Sequence, residues 1–127
     1  MEQYLIDTNV ISDYLSELFP EAGMTLIDEA IDATPNLSII TQIELLSWKT
    51  ENTTEQQIKN FILDSVIWEV TPDVVTECVK IRRSKKIKTP DAIIAATALV
   101  NNFTIITNNE KDFENIRGLK IVNPYKL

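Results

Sequence analysis

The stretch Ala92-Ile93-Ile94-Ala95-Ala96-Thr97-Ala98-Leu99-Val100 is apolar nearly all the way round a helix. Such a helix has no face to give to water, so it predicts a central, largely buried element. Its alanines let a sheet approach closely. Around it, short apolar runs alternate with residues at helical spacing. Tyr4–Ile6 predicts a strand, followed by a helix through Val10, Ile11, Tyr14, Leu15 and Leu18 that Pro20 and Gly23 break. A second helix runs through Leu26, Ile27, Ala30, Ile31 and Ala33 and stops at Pro35. Leu37–Ile40 predicts the next strand, with Thr41 opening a helix through Ile43, Glu44, Leu45, Leu46 and Trp48. Thr53 or Thr54 caps another helix, with Ile58, Phe61, Ile62 and Val66 as its stripe, ahead of a strand at Ile67–Val70. Pro72 suits a first helical position, and Val74, Val75, Cys78, Val79 and Ile81 supply that helix's buried face. Thr89-Pro90-Asp91 starts the all-apolar helix, and strands follow at Phe103–Thr107 and Leu119–Val122. This alternation predicts a three-layer α/β sandwich with a mainly parallel, roughly five-stranded sheet. No repeat or linker interrupts it, so residues 1–127 are expected to form a single domain.

Much chemistry is excluded by what the chain lacks. It has no histidine, so no imidazole base, triad or imidazole metal ligand. Its one cysteine, Cys78, allows neither an internal disulfide nor a Cys-clustered zinc site, and reads as a small core side chain. Its two glycines, Gly23 and Gly118, are too far apart to build a phosphate-cradling loop or a dinucleotide fingerprint. No apolar run reaches the roughly 20 residues that span a bilayer, and Met1-Glu2-Gln3-Tyr4 lacks the basic flank of a signal peptide. A cytoplasmic protein with no membrane contact is expected. What remains is mostly carboxylates.

Four of these recur at one end of successive units. Asp7 closes the first strand, Glu44 lies in about the first turn of the helix after the second, Asp91 opens the buried helix, and Asp112 follows the fourth strand. In an open parallel sheet, functional groups gather beyond the carboxyl ends of the strands. If the first strand lies beside the fourth, the four acids converge. Acids brought together without imidazole or thiolate suit a hard cation with oxygen ligands, Mg²⁺ or Mn²⁺. Singly, each has a plainer reading: Asp7 and Asp91 as helix caps, Glu44 as a solvent-facing helix residue, Asp112 as a turn residue. Asn9 and Asn109 read equally as cap and turn residues.

Charge is unevenly spread. Residues 1–48 hold nine Asp or Glu and no Lys or Arg, whereas residues 49–127 hold twelve basic residues against ten acids. Six of those twelve are Lys80, Arg82, Arg83, Lys85, Lys86 and Lys88. Such a strip can hold phosphates, although on its own it reads as a solvated helix face and a polar loop.

Four segments in order resemble the PIN domain, most closely the VapC-type ribonuclease toxins of type II toxin–antitoxin pairs. They are Tyr4-Leu5-Ile6-Asp7-Thr8-Asn9-Val10-Ile11, Ser38-Ile39-Ile40-Thr41-Gln42-Ile43-Glu44-Leu45, Pro90-Asp91-Ala92-Ile93-Ile94-Ala95-Ala96-Thr97-Ala98 and Ile106-Thr107-Asn108-Asn109-Glu110-Lys111-Asp112-Phe113. The third is the most specific, and the resemblance spans essentially the whole chain. One departure is Asn108, at a position often basic in such proteins. The resemblance implies a Mg²⁺-dependent endoribonuclease in which Asp7, Glu44, Asp91 and Asp112 hold one or two Mg²⁺ or Mn²⁺ ions, while Asn9, Thr107 and Asn109 orient ligands or water. It further implies metal-activated water as nucleophile, products ending in 5′-phosphate and 3′-hydroxyl, a VapB-like antitoxin as partner and a homodimer. Arg82, Arg83, Lys85, Lys86 and Lys88 would grip the RNA backbone near the metals.

Two other enzyme-like folds fit less well. A haloacid-dehalogenase-type phosphatase wants an acid where Asn9 stands, and a receiver domain wants adjacent acids near the end of the first strand. A PIN-like interaction module without catalysis is the remaining alternative, against which the presence of all four acids argues.

Overall fold

The computed structural model describes residues 2–127. Five short strands, β1 (Tyr4–Ile6), β2 (Asn36–Ser38), β3 (Val66–Trp68), β4 (Thr104–Ile106) and β5 (Lys120–Val122), form one sheet in the order β3-β2-β1-β4-β5. Every pairing is parallel, with Leu5 opposite Asn36 on one side and Ile105 on the other. The expected neighbour relation of first and fourth strands therefore holds. β1 sits in the middle.

The helices are α1 (Thr8–Leu15), α2 (Glu21–Asp32), α3 (Ile39–Leu46), α4 (Asn52–Leu63), α5 (Pro72–Ser84), α6 (Thr89–Asn101) and the four-residue α7 (Glu110–Phe113). A 3₁₀ turn at Pro124–Lys126 ends the chain. Side chains alternate across the sheet with the strand period of two. Leu5 and Ile105 join a core with Val74, Cys78 and Ile81 of α5, Ala92, Ile94 and Ala95 of α6, and Phe113 of α7. Ile6, Leu37 and Ile106 face the other way, onto Val10 and Ile11 of α1, Ile27 of α2, Leu45 of α3 and Ile58 of α4. Helix α6 is buried as its composition requires: Ala92, Ile94, Ala95, Ala96, Thr97 and Ala98 are all inaccessible. Pro90 fits its first turn because no helical partner is needed there, and Asn102 turns the chain out of it at φ +58°.

Several expected boundaries shift, each for a local reason. Helix α1 stops at Leu15, because Glu17 turns the chain at φ +55° and buries Phe19; Leu18 is left 59% exposed instead of continuing the stripe. Gly23 does not break a helix but lies inside α2, where a Cβ would come 2.2 Å from the Pro124 carbonyl oxygen. The second strand and its helix begin earlier than expected. Polar Asn36 belongs in β2, donating to the Tyr4 carbonyl and accepting from the Trp68 indole N–H. Ser38 then caps α3, its Oγ accepting from the Ile40 N–H, so Ile39 and Ile40 are helical and not strand. Val66 opens β3 rather than closing the α4 stripe, Glu51 rather than a threonine occupies the cap position of α4, and Phe103, Thr107 and Leu119 lie just outside the strands. On α5 only Val74, Cys78 and Ile81 face the core; Val75 and Val79, one step round the helix, are 50% and 44% exposed.

Candidate active site

The middle of the sheet delivers Asp7. Its backbone N–H continues the ladder by donating to the Ile106 carbonyl, and the residue is buried at the carboxyl end of β1. One carboxylate oxygen caps α1, accepting from the Thr8 N–H at 2.8 Å; the other accepts from the Thr107 hydroxyl at 2.8 Å. The capping reading of Asp7 and its place among the acids are thus both true. Thr107, at the end of β4, also accepts from the Asn109 N–H. Asn109 in turn donates through Nδ2 to Asp112 Oδ2 at 2.6 Å, so β1 and α7 are joined by a chain of hydroxyl and amide groups.

Glu44 reaches the same place from α3. It is the sixth residue of that helix, two residues further in than a start at Thr41 gives, because Ser38 caps the helix early. Its Oε1 accepts from the Thr8 hydroxyl at 2.7 Å, which also lies 3.1 Å from Thr41 Oγ1. Asp91 is the third residue of α6. It does not cap that helix, whose cap position is Lys88, but its charge lies in the first turn, where the helix dipole favours an anion. Its carboxyl is half-buried, and of the neighbouring acids Asp112 acts on it most strongly.

The electrostatics bind the four acids into one unit. Burial, then the charges of Asp112, Asp7 and Glu44, push the Asp91 carboxyl up to about 6. Burial is also the main cause raising Asp7; Thr107 and Thr8 pull the other way, and Glu44 and Asp112 add to the rise. No lysine or arginine is among the groups acting on either acid. Among the described residues, the charges that act on Asp7 and Asp91 are themselves negative. Among the described residues no three acids yet close around one point as a finished cation cage does; each is instead held by a hydroxyl, an amide or another carboxyl. The donors are all oxygen, however, and the uncompensated charge is what a hard divalent cation neutralises. On this test Mg²⁺ or Mn²⁺ fits.

The sequence of the PIN domain family matches residues 4–119. The chain belongs to the PIN domain family. Among curated proteins, it is 33% identical over 124 residues to "Ribonuclease VapC1" of Methanocaldococcus jannaschii, covering 92% of this chain and 85% of that protein. Among solved structures, the PIN domain described here is similar to a chain of a toxin–antitoxin complex from Klebsiella pneumoniae, with 30% identity, a TM-score of 0.76 and coverage of 98% of this chain and 100% of the other. It shares its fold with FitAcB from Neisseria gonorrhoeae at 23% identity and a TM-score of 0.78, covering 98% and 100% of the two chains.

Other expected site residues fall differently. Asn109 orients Asp112 directly and Thr107 holds Asp7. Asn9 is exposed, and among the described residues it makes no hydrogen bond to the four acids. Thr8 and Thr41 form a hydroxyl contact between α1 and α3 that residue order alone does not announce; their place beside the acids in the two motifs is the available signal. Arg82 and Arg83 lie in the last turn of α5, and Lys86 and Lys88 are exposed in the connection to α6. Lys85 is different. Its ammonium donates to the backbone carbonyls of Asp112 and Glu114.

Proposed function

We propose that this PIN domain is a Mg²⁺- or Mn²⁺-dependent endoribonuclease acting in the cytoplasm as the toxin of a toxin–antitoxin pair. The observation carrying this reading is the cluster of Asp7, Glu44, Asp91 and Asp112 at the carboxyl end of the sheet, with two of its acids raised and no basic side chain acting on them. The curated relative named as a ribonuclease and the neighbour named as a toxin–antitoxin complex support the same class.

A divalent ion held here would supply Lewis acidity, the chemistry that lets water act as a nucleophile near neutral pH and offsets charge on a phosphate. The protein's part is positional. Asp7, Glu44, Asp91 and Asp112 would hold the ion, directly or through water. The Thr8 hydroxyl holds one oxygen of Glu44, the Thr107 hydroxyl one oxygen of Asp7 and the Asn109 amide one oxygen of Asp112, which fixes how each carboxylate is turned. Arg82 and Arg83 in the last turn of α5, with exposed Lys86 and Lys88 in the connection to α6, suit an RNA backbone.

A VapB-like antitoxin and a second copy of this chain are the proposed protein partners. Among the apolar residues of the first four helices, Ile27 is core, and Leu15, Ile31, Trp48, Phe61 and Ile62 pack partly buried against it. Leu18 and Leu46 are 59% and 50% exposed, joined by Ile43 at 55% and Leu63 at 80%. Partner burial of such side chains is favourable. No helix among the described residues is long and apolar enough to cross a membrane.

The test is cleavage of a structured RNA by purified protein loaded with Mn²⁺, scored for products ending in 5′-phosphate and 3′-hydroxyl. Loss of cleavage in Asp91→Asn, with parent-like circular dichroism, is the expected result. Cleavage by that variant at the parent's rate removes Asp91 from the site, and an inactive metal-loaded parent removes the nuclease.

A further inference from the structure

We infer that Lys85 is a positioning residue, clamping α7 so that Asp112 stays within the carboxylate cluster, and is not a contact to RNA phosphate. Its Nζ donates to the Asp112 carbonyl at 3.0 Å and to the Glu114 carbonyl at 2.9 Å. These oxygens lie at the carboxyl end of a helix only four residues long. So short a helix has no cooperative stability of its own, and its last carbonyls lack helical partners. An ammonium there satisfies them and meets the negative end of the helix dipole.

The lysine is itself held firmly. Its backbone is extended, with its N–H donating to the Ile81 carbonyl at the end of α5. Two residues on, Ile87 is buried in the core below α6, and its carbonyl accepts from Arg82 Nε at 3.4 Å. The α5–α6 connection is therefore anchored, and Lys85 projects from it onto α7. From α7 the constraint runs through Asp112 and Asn109 to Thr107 and Asp7. The role is mechanical, since both bonds of the ammonium end on main-chain carbonyls and neither on a carboxylate. With all its visible hydrogen bonds directed at carbonyls, the ammonium is engaged where its neighbours Lys86 and Lys88 are exposed.

The consequence for metal binding rests on the nuclease reading above, so the experiment separates the two. The full chain is compared with Lys85→Met, which keeps the stem and removes the donors, with Lys85→Arg, and with Lys86→Met as the exposed neighbour. Three quantities are read: amide exchange over residues 110–116, the Mn²⁺ concentration giving half of the metal-induced thermal shift, and the salt dependence of affinity for a single-stranded RNA oligonucleotide. In Lys85→Met, exchange should quicken in that segment alone and the Mn²⁺ midpoint should rise about tenfold. The salt slope should match the parent's, and Lys85→Arg should restore most of the effect. Parent-like exchange in Lys85→Met overturns the clamp. An unchanged Mn²⁺ midpoint with a salt slope flattened by about 0.7, the share of one phosphate contact, overturns it in favour of RNA. If the parent shows no response to Mn²⁺, the nuclease reading fails, and the exchange measurement still decides whether the clamp exists.

Discussion

The two ends of the sheet treat the same kind of side chain in opposite ways. At the amino end, a cavity of about 670 Å³ is lined by Glu2, Tyr4, Glu29 and Asn36, among others. There Glu2 accepts from the Tyr4 hydroxyl and from the Thr104 hydroxyl, and those bonds hold it below its ordinary value. At the carboxyl end, Asp7 and Asp91 rise, because burial and the neighbouring acids outweigh the donors. The hollow at the amino end thus holds an acid whose donors favour its charged form, whereas the acids that rise lie where the strands end. Perturbed carboxylates of this kind gather at functional sites, and here they mark the carboxyl end of the sheet.

That contrast can be broken by mutation at either end. The largest effect is expected from Asp7→Ala. It should lower RNA cleavage by about 10²–10³-fold and abolish the Mn²⁺-induced rise in melting temperature. Glu2→Gln, measured beside it, should leave both readouts at parent values. An equal loss in the two variants would mean that the ends do not differ in function.

The next effect concerns pH in the absence of divalent ions. The folded chain holds the Asp91 proton to about 6, whereas the unfolded chain releases it near 3.8. Native protein therefore binds more protons than unfolded protein between those values, and stability falls as pH rises from about 4 to 6 before levelling off. Asp91→Asn should remove much of that slope and melt higher than the parent in chelator at pH 7.5. Asp91 is only half-buried, so water screens the repulsion. After that discount, about 1 kcal/mol is expected, or roughly 4 °C. A variant melting below the parent under those conditions would show that the acids are not repelling one another.

Finer distinctions come from the hydroxyls. Thr8→Val removes the donor to Glu44 and should cost about 1 kcal/mol while weakening Mn²⁺ affinity about tenfold. Thermal shift with and without the ion measures both. The smallest change is expected from Tyr4→Phe, which deletes the exposed bond to Glu2. Melting should move by under about 0.5 kcal/mol, with the Mn²⁺ response intact.

Much of this was readable along the chain, because the signals are local. Alternating strand and helix periods announce a parallel α/β sheet, Pro72 and Pro90 mark helix starts, and the all-round apolarity of α6 requires its burial. The four acids also stand in the chain at the ends of successive units, each visible without knowing its neighbours. What the chain could not disclose depends on groups far apart in sequence. Asn36 looks like a loop residue until Tyr4 and Trp68 come to satisfy it within β2. Thr8 and Glu44 are 36 positions apart, Asp7 and Thr107 are 100 apart, and which hydroxyl serves which acid follows only from β1 lying between β2 and β4. Lys85 is the plainest instance. In a run of basic residues it looks like its neighbours, and only the packing of α7 beneath the α5–α6 connection turns its ammonium onto two carbonyls. Periodicity and capping act over a few bonds along the backbone, so residue order determines them. Pairing between remote groups depends on how the crossovers stack, and that the tertiary structure alone decides.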